Sequence, residues 1–465
     1  MSLVSKDRTS VSRRAFYDDT VFNDESERVF RRTWQFLAHE SEVPAPGDYV
    51  TRTLGGDPVI VVRGEDGVIR VFHNACRHRG AQLCAADLGN TSHFRCSYHG
   101  WTFSNAGQLR GVPLRQLMYG PEFDRKQWGL TAPPHIDVFC GLVFANWDKD
   151  AMPLRDSLGE MAWYMELVFG KCEMEAVGPP ARLRSEQNWK SGAENFTGDG
   201  YHIPSTHHTM LELGMLAPDR IFAQQAQAGR IGAPDPELEP FSMIEFASKE
   251  GGHAGLIQKL PVRFDEPMFL GFEEHLWPEF TERLAPEQVD LADRLFTMVA
   301  NVFPNFSFIQ QVFPYLGDDT PPVATIHMRV WVPISAGCTE VLFFALVPKE
   351  ASAQWKRASQ LAFTRSFGIG GGLETDDYQN WVGMHQVNSG RSGQVQNSDY
   401  QGTPGQEPTD VLPWPGNVYL APVTDVTVRA MYHEWDRLMA KPLATNGSRA
   451  AGETAAQVVT GSAGA

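Results

Sequence analysis

Apolar and polar positions change their rhythm three times along the chain. Up to about residue 38 the apolar residues Phe16, Val21, Phe22, Phe30, Trp34, Phe36 and Leu37 are spaced as on a helix, which predicts a helical start. From about residue 48 short β-branched runs replace that spacing: Tyr49–Thr51, Pro58–Val62 and Val68–Phe72, divided by Gly and Asp. Such runs with tight breaks predict antiparallel strands, and they continue to Gly141–Trp147. Beyond residue 156 the pattern is mixed. Helices are predicted near 155–170, 286–299 and 424–440, and strands at 322–334 and 340–348. Strand runs among helices without βαβ alternation predict an α+β domain. After residue 443 the chain turns to Ala, Gly, Ser and Thr without aromatics, which predicts a disordered tail.

Composition narrows the class. The chain has 465 residues, a formal charge of −16, 42% apolar and 21% charged residues, which describes a globular protein with a large core. The acidic balance argues against a nucleic-acid binder. No apolar run reaches membrane-spanning length, and the start MSLVSKDRTSVSRR lacks the apolar core of a secretory signal. Six cysteines are too few for a disulfide scaffold, so a cytoplasmic protein with reduced thiols is expected.

Two motifs in the β-rich segment carry chemistry. Cys76 and His78 form a Cys-x-His pair; Cys96 and His99 form a Cys-x-x-His pair 17 residues on. Two thiolates and two imidazoles can bind zinc or an iron–sulfur cluster. Zinc fingers group cysteines with cysteines; here each cysteine is paired with a histidine. That suits two loops, each giving one Cys to one iron and one His to the other, the ligand set of a Rieske [2Fe–2S] centre. Neutral imidazoles in place of two thiolates make such a cluster easier to reduce. Gly80 and Gly100 follow the pairs and permit tight loops, and Trp101 can cover one side. Cys84, Cys140, Cys172 and Cys338 have no partner at either spacing and are expected as buried small apolar residues.

The second constellation lies in the stretch Asn188–His208. His202 and His207 are candidate imidazole ligands for a metal, with adjacent His208 as an alternative. Five residues turn a regular helix by about 140°, so the pair needs a bent or broken helix, and Pro204 between them favours one. Asp199, three residues before His202, suits a hydrogen bond that orients an imidazole. Two histidines and one carboxylate with open positions form the facial triad of non-haem Fe(II) oxygenases, and the acidic pair Asp376–Asp377 is the best source of the carboxylate. The glycine run Gly370–Gly372 is not a phosphate loop, and no nucleotide site is found.

Taken together, the motifs C-x-H, C-x-x-H, D-x-x-H-x-x-x-x-H and E-x-D-D-x-x-N resemble the large (α) subunit of Rieske-type aromatic-ring-hydroxylating dioxygenases, over nearly the whole chain to about residue 442. The resemblance implies a small antiparallel β Rieske domain (39–155) and a larger α+β catalytic domain (1–38 and 156–442) with a central antiparallel sheet flanked by helices. It implies that Cys76 and Cys96 hold one cluster iron and His78 and His99 the other. His202, His207 and Asp377 then hold a mononuclear Fe(II), and Asn195 lies near that iron. Asp199 is implied to bridge His202 to His99 of the partner subunit. Phe196 is a pocket residue by resemblance; Phe303, Phe308, Phe367 and Leu373 are further candidates for an apolar pocket. Pro204 and the low-complexity tail depart from the family pattern without removing a ligand.

The activity so implied adds both atoms of dioxygen to an aromatic ring, giving a cis-dihydrodiol. Electrons originate from NAD(P)H and arrive through a separate reductase and ferredoxin. A small β subunit in an α₃β₃ assembly is the implied partner. A Rieske monooxygenase or demethylase would use the same metals, a pure Rieske electron carrier would leave the second constellation unexplained, and a structural zinc protein would be colourless. Between residues 70 and 115 six arginines (70, 77, 79, 95, 110, 115) face one acid, Asp87, a local positive region suited to an acidic ferredoxin.

Overall fold

The computed structural model describes residues 2–214, 243–260, 268–313, 322–403, 405–420 and 423–442. The tail expected to be disordered, 443–465, lies outside them. The chain divides into two compact units, one built on residues 25–154 and the other on 1–24 and 155–440.

The first unit is built on antiparallel strands with a few short helices. Strands β1 (Gln35–His39), β2 (Asp48–Leu54), β3 (Asp57–Arg63), β4 (Ile69–His73), β5 (Leu88–Asn90), β6 (His93–Arg95), β7 (Thr102–Ser104), β8 (Leu109–Gly111), β9 (His135–Phe139) and β10 (Leu142–Asn146) form three small sheets, ordered β4-β3-β2-β5, β6-β7-β8 and β9-β10-β1. The alternating pattern of β2 and the apolar run of β3 fill the core: Val50, Leu54, Val59 and Val61 pack with Val71 and Val143. Residues 25–38, expected as helix in the catalytic part, belong here instead. The expected helix is present over Asp19–Glu25 and continues through Ser26–Phe30, but it ends there, and Gln35–His39 pairs with β10 as a strand. The apolar Phe36-Leu37-Ala38 sequence is buried on both faces, so its helical spacing was coincidental.

The second unit is α+β. A nine-stranded antiparallel sheet runs β11 (Met174–Ala176), β18 (Cys338–Pro348), β17 (Val323–Ser335), β16 (Phe306–Phe313), β15 (Leu295–Val302), β14 (Ala254–Lys259), β13 (Met243–Ala247) and β19 (Asn417–Tyr419), with β12 (Ala181–Ser185) also on β18. The helix expected over 286–299 stops at Asp293, and Leu295–Val302 is a sheet strand. One face of the sheet is covered by α1 (Trp189–Asn195), α3 (Ala353–Ser366) and α4 (Gly372–Asn388). Two contacts set how closely they pack. The Trp331 ring of β17 lies where a Cβ on Gly192 of α1 would be, and Ser359 of α3 donates to the Ala324 carbonyl at 2.8 Å. The last helix, α5 (Val426–Met439), buries Val428, Met431, Tyr432 and Trp435. Of the four cysteines outside the two motifs, Cys84 and Cys172 are buried as expected; Cys140 and Cys338 are only half-buried, because they sit at strand ends.

Candidate metal centres and pocket

In the first unit two loops of the same geometry face each other. The Cys76 N–H donates to the Ala81 carbonyl and the Gly80 N–H returns to the Cys76 carbonyl (2.8 and 2.9 Å). Cys96 and Gly100 repeat this with Trp101 and Cys96 (2.8 and 3.0 Å). Gly80 and Gly100 have φ of +75° and +74°, a left-handed conformation that glycine adopts without strain. Cys76 and Cys96 are buried, while His78 and His99 lie nearer the surface with ring centroids 4.7 Å apart. Trp101 stacks on His78 at 4.9 Å, and the Tyr119 hydroxyl lies 3.2 Å from His78 Nε2. The other nitrogen, Nδ1, is buried with no hydrogen-bond partner among the described residues. Burial, with the neighbouring Cys96 thiol, pushes the Cys76 thiol up. Two crowded thiols and an orphaned imidazole nitrogen fit a cationic metal cluster as the missing partner.

Of the six arginines around these loops, Arg70 is neutralised by Asp66 at 2.6 Å, an acid just outside the counted window. Arg79, Arg95 and Arg110 remain exposed.

In the second unit α1 ends at Asn195, and a short helix, α2 (Ile203–Thr206), begins with His202 as its N-cap. Pro204 occupies the first turn of α2, where no intrahelical N–H is needed, so it is accommodated without a clash. His207 lies just past the end of α2 in a non-helical conformation. This break supplies the bend that the five-residue spacing requires. His202 Nε2 and His207 Nε2 come within 3.2 Å, and Asp377 Oδ1, from α4, is 3.6 Å from each. His208 points to Glu212 at the surface and is not part of the cluster. Asp376 stands 3.6 Å from His207 Nδ1. Asn195 Nδ2 lies 3.4 Å from His202 Nε2. The backbone carbonyl of Asp199 bonds His202 Nδ1 at 2.5 Å, and its carboxylate is 3.5 Å from the same nitrogen and partly exposed.

The electrostatics of this cluster fit a cation. Burial pushes the Asp377 carboxyl up to about 8, His202 only partly countering it. Burial pushes the His207 imidazole down to about 3, aided by repulsion from His202. The His202 imidazole is raised: burial opposes, but Asp199 and Asp377 prevail. Three buried donors thus converge with one carboxylate that is poorly solvated, which a divalent ion would compensate.

Beside the donors lies a cavity of about 440 Å³, within the usual size for a small-molecule site. Asn195, Phe196, Asp199, His202, His207, Phe367, Leu373 and Asp377 line it. Phe303 and Phe308, also expected there, do not. Ile309 and Gln311 of β16 face the cavity, so strand alternation turns Phe308 to the opposite face, where it meets Phe169 at 5.1 Å. Phe303 packs on Trp189, its N–H held by His253. Among the lining residues that sequence reasoning missed, Met243, Leu256, Gln258, Phe296, Thr297, Val299, Ile309 and Gln311 come from sheet strands, and Ile203 and Leu211 from the segment that carries the two histidines.

Comparison with known proteins matches a Rieske [2Fe-2S] domain over residues 33–119 and a ring hydroxylating alpha subunit (catalytic domain) over 173–441. The chain is 34% identical over 443 residues to the large oxygenase component of the naphthalene 1,2-dioxygenase system of Pseudomonas putida, covering 93% of this chain and 92% of that protein. It is 30% identical over 439 residues to the N,N-dimethyl phenylurea N-demethylase subunit alpha of Sphingobium sp. (strain YBL2), covering 90% and 89%. The crystal structure of naphthalene 1,2-dioxygenase from Rhodococcus sp. bound to indole superposes with a TM-score of 0.84 at 36% identity, covering 92% of this chain and 94% of that one.

Proposed function

The chain belongs to the Rieske-type ring-hydroxylating oxygenase alpha subunits, and from that premise we propose that it is a terminal oxygenase chain that adds both atoms of dioxygen to an aromatic ring, giving a cis-dihydrodiol. The observation that carries this reading is the convergence of His202, His207 and Asp377 at one end of a largely apolar cavity. Cys76, His78, Cys96 and His99 would hold a [2Fe–2S] cluster, which would supply single electrons, and His202, His207 and Asp377 would hold a mononuclear Fe(II), which would supply dioxygen activation.

The protein's own residues do the rest. Phe196, Phe367 and Leu373 exclude water and hold the ring flat against the donor end of the cavity. The Asp199 carbonyl fixes the ring orientation of His202 by accepting a hydrogen bond from its Nδ1–H, which leaves the Nε2 lone pair free for ligation. The exposed Asp199 carboxylate is suited to reach an imidazole of a partner subunit, His99 of the partner subunit by family analogy. Asn195 donates its amide toward the donor cluster, a position from which it can hold a water or the incoming oxygen.

Electrons are proposed to come from NAD(P)H through a separate reductase or ferredoxin, in keeping with the multicomponent systems named for the relatives. A small β subunit in an α₃β₃ assembly, and a cytoplasmic location, complete the proposal. Among the described residues no helix is long and apolar enough to cross a membrane.

Demethylation is the second reading, favoured by the phenylurea N-demethylase relative. Labelled dioxygen separates the two: a dihydrodiol carries both labelled atoms, a hydroxylated or dealkylated product at most one. For the metal assignment, His207→Ala is expected to lose the iron in excess of the cluster and to keep the cluster's visible spectrum. Asp199→Asn is expected to keep both metals and lose turnover. A fully active His207→Ala enzyme would falsify the assignment.

A further inference from the structure

Three polar side chains line the otherwise apolar sheet wall of the cavity, and they are not scattered. Gln258 of β14 pairs in register with Thr297 of β15, and Thr297 pairs with Gln311 of β16. They form one row across three adjacent strands, neighbours being about 4.8 Å apart. The next row on the same face is apolar: Leu256, Val299 and Ile309, in the same mutual register. The apolar row is the one nearer the metal donors. A Cβ on Gly198 would touch Gly255 and Leu256, and Glu374, on the helix that carries Asp377, pairs with Arg329, which stands opposite Ser307 on the Ile309 side of the row, whereas Gly200 lies between Leu256 and Met243, the register partner of Gln258. The polar row is one two-residue step farther away, about 6.5–7 Å along the strands.

None of the three side chains has a hydrogen-bond partner among the described residues, although Gln311 is only 3% exposed. Gln258 and Thr297 are half-buried; for Gln311, with so little water access, an apolar ligand is costly and one that satisfies the carboxamide is favourable. Two carboxamides and a hydroxyl offer donors and acceptors without charge. Among the described residues no Lys or Arg lines the cavity, so nothing there neutralises an anionic substituent.

We propose that the row Gln258–Thr297–Gln311 selects aromatic substrates bearing a neutral hydrogen-bonding substituent, such as a carbonyl, carboxamide or hydroxyl, held at the end of the cavity remote from the metal donors. The inference rests on the oxygenase reading for the identity of the reacting end, and it adds a direction. The substituent sits in the polar row and the ring farther from it lies over Leu256, Val299 and Ile309, so oxidation falls on the unsubstituted ring of a fused bicycle.

The test uses the complete oxygenase with both metal sites loaded, and the matched probes naphthalene and 2-acetylnaphthalene. Binding is measured on the oxidised enzyme, where no turnover is needed. The Kd ratio of the two probes is compared in wild type and in Gln258→Leu, Gln311→Leu and Thr297→Val, each checked for an unchanged cluster spectrum. One neutral hydrogen bond corresponds to roughly a three- to tenfold change in that ratio. The expected result is a loss of preference for 2-acetylnaphthalene by that factor in at least one glutamine variant, with the wild-type product oxidised on the unsubstituted ring. Ratios unchanged in all three variants, or wild-type oxidation on the acetylated ring, would overturn the inference. If the ratios shift while neither probe is turned over, the polar-row assignment stands and arene oxygenation fails. If naphthalene is oxidised and no ratio moves, the reverse holds.

Discussion

Arg329→Met is the most informative stability test of the catalytic unit. Arg329 of β17 and Glu374 of α4 are 0% and 1% exposed and meet at 2.7 Å. The same guanidinium donates to the Phe367 carbonyl and to the Met328 carbonyl, approaches His327 Nδ1 at 3.2 Å, and stacks over Phe343 at 4.3 Å. Methionine fills much of the volume but strands the carboxylate and the Phe367 carbonyl. Removing one partner of a buried ion pair costs about 3–5 kcal/mol. At about 2–4 °C per kcal/mol for a unit of this size, thermal unfolding of the full holo chain shifts down by roughly 6–20 °C. Burial already pushes the Glu374 carboxyl up against the pull of Arg329, and without the arginine it rises further. A carboxyl raised in the folded state is best tolerated when protonated, so the deficit is smallest in acid and widens as pH rises through the folded value. Arg329→Met/Glu374→Leu removes both charges and recovers most of the loss. A shift under about 2 °C, or a double variant as impaired as the single one, refutes the reasoning.

Three other outcomes follow from the geometry. Gly192→Ala places a methyl 2.4–2.7 Å from the Trp331 ring, so the clash, about 1–3 kcal/mol, outweighs the helix-propensity gain of about 1 kcal/mol, and denaturant midpoints fall. Glu245 is fully buried, takes the Thr424 N–H at 2.7 Å, and is pushed by burial from 4.5 up to about 7. Its folded value is raised, so it favours folding below about pH 4.5 and that advantage is lost by about pH 7, a swing of roughly 3 kcal/mol. Comparing unfolding of wild type and Glu245→Gln across this range shows the swing only in wild type. Cys96→Ala loses the cluster's visible absorption and keeps the mononuclear iron, measured by metal analysis.

Legibility in the sequence followed the locality of each contact. The cluster loops were readable because each Cys, its His and the closing glycine lie within five residues, and both loops fold alike. His202 and His207 were readable as candidate ligands, but their approach depends on the helix break at the His202 cap and beyond Thr206. Asp377 approaches them only through the packing of α4 on the sheet. The aromatic lining was half right for a reason of parity. In β16, Phe306–Phe313, every residue is buried, so residue type cannot say which face meets the cavity. Gln310 and Gln311 show the point: the first meets Lys171 on one face, the second lines the cavity on the other. The glutamines Gln258 and Gln311 within largely apolar strands were the available signal for the polar row. Helical spacing misled over Trp34–Leu37 and past Asp293, where both-face burial imitates a helix.

The stretch from Asn195 to Leu211 supplies two of the three converging donors and also forms one wall of the cavity. On the proposed function, ion and arene would bear on the same piece of backbone. By reciprocity, whatever grip the ion adds to the arene, the arene returns to the ion, factor for factor. On the proposed function, and where that coupling is positive, a protein starved of metal would hold its arene more weakly, and a tightly held but unreactive arene would slow the leakage of metal.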